Sequence, residues 1–242
     1  MTAPLRHTPP EGAHPPPIIR FENVVKGYWL RSAWRPVIRG LTLSLPAGQA
    51  LALLGTNGSG KTTLLDLVAG RLRPDAGRVL RHGSVSFPVG FAGGFHRDLS
   101  GAQNIRFLAR VYGADPQGLV EFVADFAELG ALYHAPLRSY SSGMRARLGF
   151  GASMGLPFDL YLVDEATAVG DGAFKRKSKA LFRARMRGAS GIMVSHNLRE
   201  LRRYCDAGLV LHEGHLWYFD QIDEALAVHE DLMQHNAASG RR

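Results

Sequence analysis

Residues 55–63 read GTNGSGKTT, and few segments of nine residues leave a chain so little choice of fold. The stretch matches G-x-x-x-x-G-K-[ST]. It follows the apolar run QALALLG (49–55) and opens a helical pattern over 61–70, which is the strand–loop–helix setting the motif requires. Gly55, Gly58 and Gly60 allow the backbone N–H groups around Asn57 and Ser59 to turn inward on phosphate oxygens. The helix beginning near Lys61, Thr62 and Thr63 adds positive potential from its N-terminus. Lys61 has the reach to meet terminal phosphates, and the Thr62 hydroxyl is a donor for Mg²⁺.

The rest of the chain is organised around strands of one kind. LYLVDE (160–165) and GIMVSH (191–196) are almost continuously apolar, the pattern of a parallel sheet covered on both faces by helices. Helical patterns occupy 172–187 and 197–204, strand patterns begin at IIRFENVVKGY and recur at VIRGLTLSL (37–45), and GLVLHEGHLWYF (208–219) reads as a hairpin turning at Glu213-Gly214. Residues 98–156 are mostly helical in pattern, with NIRFLARVYG and LVEFVADFAELG amphipathic. The expected fold is therefore an α/β P-loop core, with an antiparallel β-portion near its start and a helical subdomain inserted at about 98–156. The core is expected over 18–230, after a disordered arm at 1–17 that holds six prolines and before a tail at 231–242. There are no internal repeats.

Composition narrows the class further. Runs such as LALL are far too short to cross a bilayer, and the first 17 residues lack the apolar centre of a signal peptide. A single cysteine, Cys205, excludes an internal disulfide and fits a reducing compartment, so a cytosolic-side protein is expected. The net charge of +8 is carried by 24 arginines and five lysines. It reads either as a solvated basic surface or as attraction to nucleotides, an anionic membrane face or nucleic acid.

Two further constellations lie at strand ends. Asp164 and Glu165 emerge at the carboxyl edge of a buried strand, where ligands of open α/β sheets gather. Asp164 is placed to hold a Mg²⁺ shell and Glu165 to polarise an attacking water, although such a pair also serves elsewhere as a helix cap. His196 ends the last apolar strand, where an imidazole can bond a γ-phosphate oxygen; taken alone, a strand-end histidine is more often structural.

A phosphate loop, then YSSGMRARLGF (140–150), then a strand ending Asp-Glu, then one ending in His form an order that resembles the ATP-binding cassette (ABC) ATPases. The likeness spans about residues 18–220 and implies a signature segment, usually LSGGQ, at Ser141, Ser142 and Gly143. In that family the signature closes the nucleotide held by a second copy, which implies a head-to-tail homodimer around two ATP molecules. The resemblance also makes Tyr28 the aromatic that stacks on adenine, against a reading as a core or strand-edge ring, and Asp171 a residue of the loop that communicates across the dimer.

The departures are informative. SFPVGFAGGFHRDLSG (86–101) lacks the glutamine the family places there, and Met144 replaces a polar residue in the signature. With PFDLYLVDE, AVGD and VSHN, these features are similar to the subfamily serving capsular polysaccharide exporters. They imply an ATPase at the cytoplasmic face of the bacterial inner membrane, peripheral to it, driving a separate polytopic permease that exports cell-surface polysaccharide. About 20 residues follow the hairpin, so the appended carbohydrate-binding domain of some O-antigen relatives is not expected. Export of O-antigen or teichoic acid is an alternative, as is a soluble ABC-type ATPase acting on nucleic acid or the ribosome. The latter usually carries coiled coils, zinc motifs or a second cassette, none of which is present, so no nucleic-acid partner is expected. A P-loop kinase would leave the serine–glycine signature unexplained.

Lys61→Ala removes the one point charge of the phosphate loop. Hydrogen bonds to charged groups contribute about 1.5–3 kcal/mol each, so titration calorimetry is expected to show ATP affinity falling by at least about tenfold.

Overall fold

A computed structural model describes residues 16–90, 93–164 and 170–239. The arm expected over 1–17 lies outside the described residues apart from its last two positions. In chain order the regular elements begin with β1 (Ile19–Leu30), β2 (Ala33–Leu45), β3 (Ala50–Leu54), α1 (Lys61–Ala69) and β4 (Ala76–Arg81). Next come α2 (Gly101–Val111), α3 (Pro116–Ala127), α4 (Ser142–Gly155), β5 (Leu160–Asp164) and α5 (Gly172–Met186). The chain continues through β6 (Ser190–Val194), α6 (Leu198–Tyr204), β7 (Ala207–His212), β8 (His215–Phe219) and α7 (Ile222–Ser239). It divides into two compact units, 1–85 with 159–165 and 188–242, and 86–158 with 166–187.

The first unit holds two sheets. Strands β2, β1 and β4 form an antiparallel sheet in that order, while β5, β6, β3, β7 and β8 form a second. The first four strands of the second sheet run parallel and β8 is antiparallel to β7. Every residue of β3 and β6 is buried, as is β5 up to Val163, which explains why these strands read as unbroken apolar runs. Leu64, Leu65, Leu67 and Val68 of α1 pack into the same core as Leu51, Leu162 and Leu209. The β7–β8 hairpin turns at Glu213 (φ 49°) and Gly214 (φ 82°), the two positive φ values of a type I′ turn, as their sequence predicts.

The second unit is built from α2, α3, α4 and α5. Ser100 and Gln103 form a reciprocal capping box on α2, and Asp115 caps α3 ahead of Pro116. Buried Asn104 accepts from the His96 N–H at 2.7 Å and donates to the carbonyls of His96, Leu99 and Ser100, tying the preceding loop to the helix. Phe126 joins three helices: it stacks on Phe150 and meets Phe174 edge-on at 5.2 Å.

Two elements are additions to what the sequence pattern suggests. Strand β4, AGRVLR, has no fully buried residue and pairs only with β1, so apolar alternation has little to report there. Helix α7 continues unbroken through residue 230, where a tail was expected to begin.

Where the chain re-enters the first unit, Asp159 Oδ2 accepts from the Ser84 N–H at 2.7 Å and from Ser84 Oγ at 2.8 Å. These bonds, the backbone one foremost, hold the Asp159 carboxyl below the usual carboxylate range. A group whose folded pKa is depressed stabilises the fold above its unfolded value of about 3.9 and ceases to as pH falls through the folded value. Asp159→Asn is expected to cost about 0.5–1.5 kcal/mol in urea unfolding at neutral pH, with the difference from wild type shrinking once the pH is taken well below about 3.9.

Candidate functional site

Three neighbouring strands of the parallel sheet, β5, β6 and β3, end at one edge, and each delivers part of the site. Asp164 is the exposed last residue of β5 and pairs in register with Val194, two residues before His196. From β3 the chain runs directly into the loop at Gly55–Gly60 and then into α1. The glycines there meet distinct steric demands. A side chain on Gly55 would lie 2.5 Å from the Leu211 carbonyl oxygen and 2.6 Å from Ser59 Oγ, and one on Gly60 (φ +106°) would overlap Val37. Gly60 occupies the N-cap of α1 in the left-handed region and offers no side chain to the first turn, whose N–H groups are left facing outward for a ligand.

Lys61 Nζ donates to the carbonyls of Gly55 at 2.7 Å and Thr56 at 3.0 Å, so its ammonium lies folded over the loop. A cleft of 420 Å³ is lined by Asn57, Gly58, Gly60, Lys61, Thr62 and Thr63 together with Tyr28, Val37, Asp164 and His196. Tyr28 is 41% exposed, outside the core, with its hydroxyl 3.2 Å from Thr63 Oγ1 and Lys26 Nζ 5.7 Å from its ring centroid. Thr62 and Asp164 bring a hydroxyl and a carboxylate to one cleft. These are hard oxygen donors of the kind Mg²⁺ takes, and that ion commonly relies on one or two protein ligands completed by substrate phosphate and water. Glu165 lies outside the described residues.

Ser141, Ser142, Gly143 and Asp171 belong to the second unit. Ser141 caps α4, its Oγ accepting from the Met144 N–H at 3.2 Å, and the three residues Ser141–Gly143 are exposed. Buried Tyr140 anchors the segment through its hydroxyl to the Leu132 carbonyl at 2.8 Å. Asp171 stands at the N-cap of α5 without capping it; its carboxylate instead faces Arg147 of α4 at 3.6 Å. The Arg147 guanidinium also lies 4.2 Å from the Phe174 ring centroid.

Several contributors escaped the sequence pattern. Val37, an ordinary strand valine, closes the wall against Gly60. Arg147 was visible only as one of the two arginines in MRAR. Helix α7 brings His229, Glu230, Met233 and Gln234 to a second cleft of 420 Å³ shared with Gly55, Lys61 and His196. Burial, and then the charge of Lys61, lower the pKa of His229. The amphipathic stretch AVHEDLMQH was the signal for that helix.

The ABC transporter family model matches residues 38–168, more than half of the chain. The chain belongs to the ABC transporter family. Relatives of this ABC ATPase include the polysialic acid transport ATP-binding protein KpsT of Escherichia coli, 42% identical over 221 residues that cover 89% of this chain and 99% of KpsT. The capsule polysaccharide export ATP-binding protein CtrD of Neisseria meningitidis serogroup B is 38% identical, covering 89% of this chain and 100% of CtrD. Among solved structures, the dimeric post-hydrolysis state of an ATP-binding cassette bound to ADP and Pi superposes with a TM-score of 0.68 at 17% identity, over 83% of this chain and 98% of that one, a likeness of fold. The chain is thus an ATP-binding subunit with the P-loop core, mixed sheet and helical subdomain of its family, and an ATPase. Among the described residues, no helix is long and apolar enough to cross a membrane.

If Tyr28 stacks on the base, its ring and not its hydroxyl carries the affinity. Base–aromatic stacking amounts to about 1–3 kcal/mol. Tyr28→Ala is therefore expected to weaken ATP binding about 5- to 150-fold, and Tyr28→Phe to leave it nearly unchanged, both read by calorimetry.

Proposed function

We propose that this ABC ATPase drives export of a capsular or related cell-surface polysaccharide, acting as a head-to-tail homodimer on a separate polytopic permease at the cytoplasmic face of the bacterial inner membrane. The observation that carries the cargo is its likeness, over nearly their whole lengths, to KpsT and CtrD, whose names concern polysialic acid transport and capsule polysaccharide export. The cleft supports the chemistry.

In this reading Tyr28 orients the adenine, and the N–H groups from Asn57 to Thr63 hold the phosphates. Lys61 leaves the carbonyls of Gly55 and Thr56 to meet the β- and γ-phosphates, where its hydrogen bonds are charge-assisted. Thr62 and Asp164 hold Mg²⁺, which when bound neutralises charge building on the phosphate oxygens. Glu165 accepts a proton from the attacking water and His196 bonds a γ-phosphate oxygen, fixing the geometry of in-line attack. Ser141 and the N–H groups of Ser142 and Gly143 form a second anion site at the start of α4. Offered to the nucleotide of the partner copy, it completes a site that neither chain completes alone. Asp171, facing Arg147 beside that helix, conveys the state of one site toward the other.

Complementation between damaged chains tests this arrangement. Ser141→Arg fills the space meant for the γ-phosphate and is expected to leave monomer ATP affinity unchanged while blocking ATP-dependent dimerisation and hydrolysis. Mixed with Lys61→Ala chains, it places both lesions in one composite site and leaves the other intact, so ATP-dependent dimers and part of the ATPase activity are expected to return. Normal hydrolysis by Ser141→Arg chains alone would reduce the YSSGM segment to a helix cap. Loss of surface polysaccharide in a strain carrying Glu165→Gln, with restoration by wild type, tests the cargo.

A further inference from the structure

The nucleotide cleft accounts for Tyr28 but not for its neighbours. Strand β4 pairs with β1 only as far as Val25, whereas β1 and β2 remain paired out to Leu30 and Ala33. They therefore project past the third strand as a two-stranded ribbon, and every residue from Tyr28 to Arg35 is exposed. Side chains alternate across such a ribbon. Tyr28 and its cross-strand partner Arg35 share one face, with Tyr28 reaching Thr63 of the cleft. Trp29 and its partner Trp34 share the other, their rings edge-on at 5.7 Å, with the Trp34 indole filling the space where Gly27 has no side chain. That contact orders the indoles without covering them: Trp29 is 70% exposed and Leu30, at the tip, 60%.

The charge borne by the ribbon itself has one sign. No carboxylate occurs between Glu22 and Asp66, an interval containing Lys26, Arg31, Arg35, Arg39 and Lys61. Lys26 is paired with Asp75, while Arg31 stands in the turn itself and Arg35 beside it.

We propose that this tip docks on an anionic lipid surface, with Trp29 and Leu30 entering the headgroup–acyl boundary and Arg31 and Arg35 meeting lipid phosphates. Indole rings favour that boundary, and cations next to them add attraction to anionic headgroups. A tip of eight residues is too small to present the ~800 Å² per partner of a standard protein interface, whereas a lipid surface imposes no matching shape. Free phosphate would satisfy the arginines but leaves the exposed Trp29 and Leu30 without a role. The contact does not depend on the identity of the cargo.

Flotation of the full chain with vesicles of phosphatidylethanolamine and phosphatidylglycerol, against vesicles of phosphatidylcholine, tests the proposal. Two of the three tryptophans lie in the tip, so a blue shift of emission on binding reports their entry into lipid. The expected result is binding to the anionic vesicles that weakens with salt and carries a blue shift. Burying a large apolar side chain is worth enough that Trp29→Ser with Leu30→Ser should lower the partition coefficient by at least about tenfold. Arg31→Glu, which keeps both apolar side chains, should remove the preference for anionic lipid. Both variants should keep wild-type ATP affinity and melting temperature. Equal binding to phosphatidylcholine, unchanged binding of either variant, or no vesicle binding by the wild type would overturn the proposal and leave the ATPase assignment standing. Capture of a membrane protein from Trp29→Cys by a crosslinker, without any vesicle binding, would assign the tip to a protein partner instead.

Discussion

The first unit depends on how closely the phosphate loop lies against the strands beside it. Gly55 sits against the Leu211 carbonyl of β7, and Gly60 against Val37 of β2. Those strands belong to different sheets, so the loop is the seam along which the antiparallel and parallel sheets meet. The Arg39 N–H bonded to the Gly214 carbonyl at 2.9 Å continues that seam beyond the loop. A methyl group at either glycine would push the sheets apart or tilt the N–H groups that face the ligand. Binding geometry and core packing are therefore one constraint, and the buried strands β3, β5 and β6 supply the stiffness that lets Asp164 and His196 face the same cleft.

One lysine in each unit donates to backbone carbonyls. In the first, the Lys61 ammonium rests on backbone carbonyls, neutral acceptors that a phosphate can outcompete. In the second, Lys177 bonds the carbonyls of Asp125 and Phe126 and the Glu128 carboxylate, closing the end of α3, and Glu128 is held below its usual pKa chiefly by that lysine. Arg147 ties α4 to the start of α5 through Asp171 and Phe174. Asp171 stands at the N-cap of α5, where an aspartate ordinarily caps its own helix, and here its carboxylate faces Arg147 of α4 instead.

Legibility followed burial. The hairpin at Glu213-Gly214 could be read directly, because a two-residue turn with both φ positive selects its residues locally. The parallel strands could be read because burial on both faces demands apolar residues throughout. Strand β4 could not: it has no fully buried residue, and the backbone hydrogen bonds by which it pairs with β1 leave little mark on side-chain identity. Asn104 looked like a routine polar residue in an amphipathic helix, yet it is buried and holds four backbone groups of the loop before it.

By itself the sequence determined the phosphate loop, the strand ends that bear Asp164 and His196, and the serine-capped start of α4, because each depends on residues adjacent along the chain. Only the tertiary structure decided that Val37 closes the wall of the cleft, that α7 carries His229 toward Lys61, that Asp171 faces Arg147 without capping its helix, and that Trp29 and Trp34 share one face of the ribbon while Tyr28 reaches Thr63 of the cleft from the other. Each of these joins residues distant in sequence or separates neighbours by the alternation of a strand. Strand order, register and the reach of a side chain settle such relations, and none of them is written in any local run of residues.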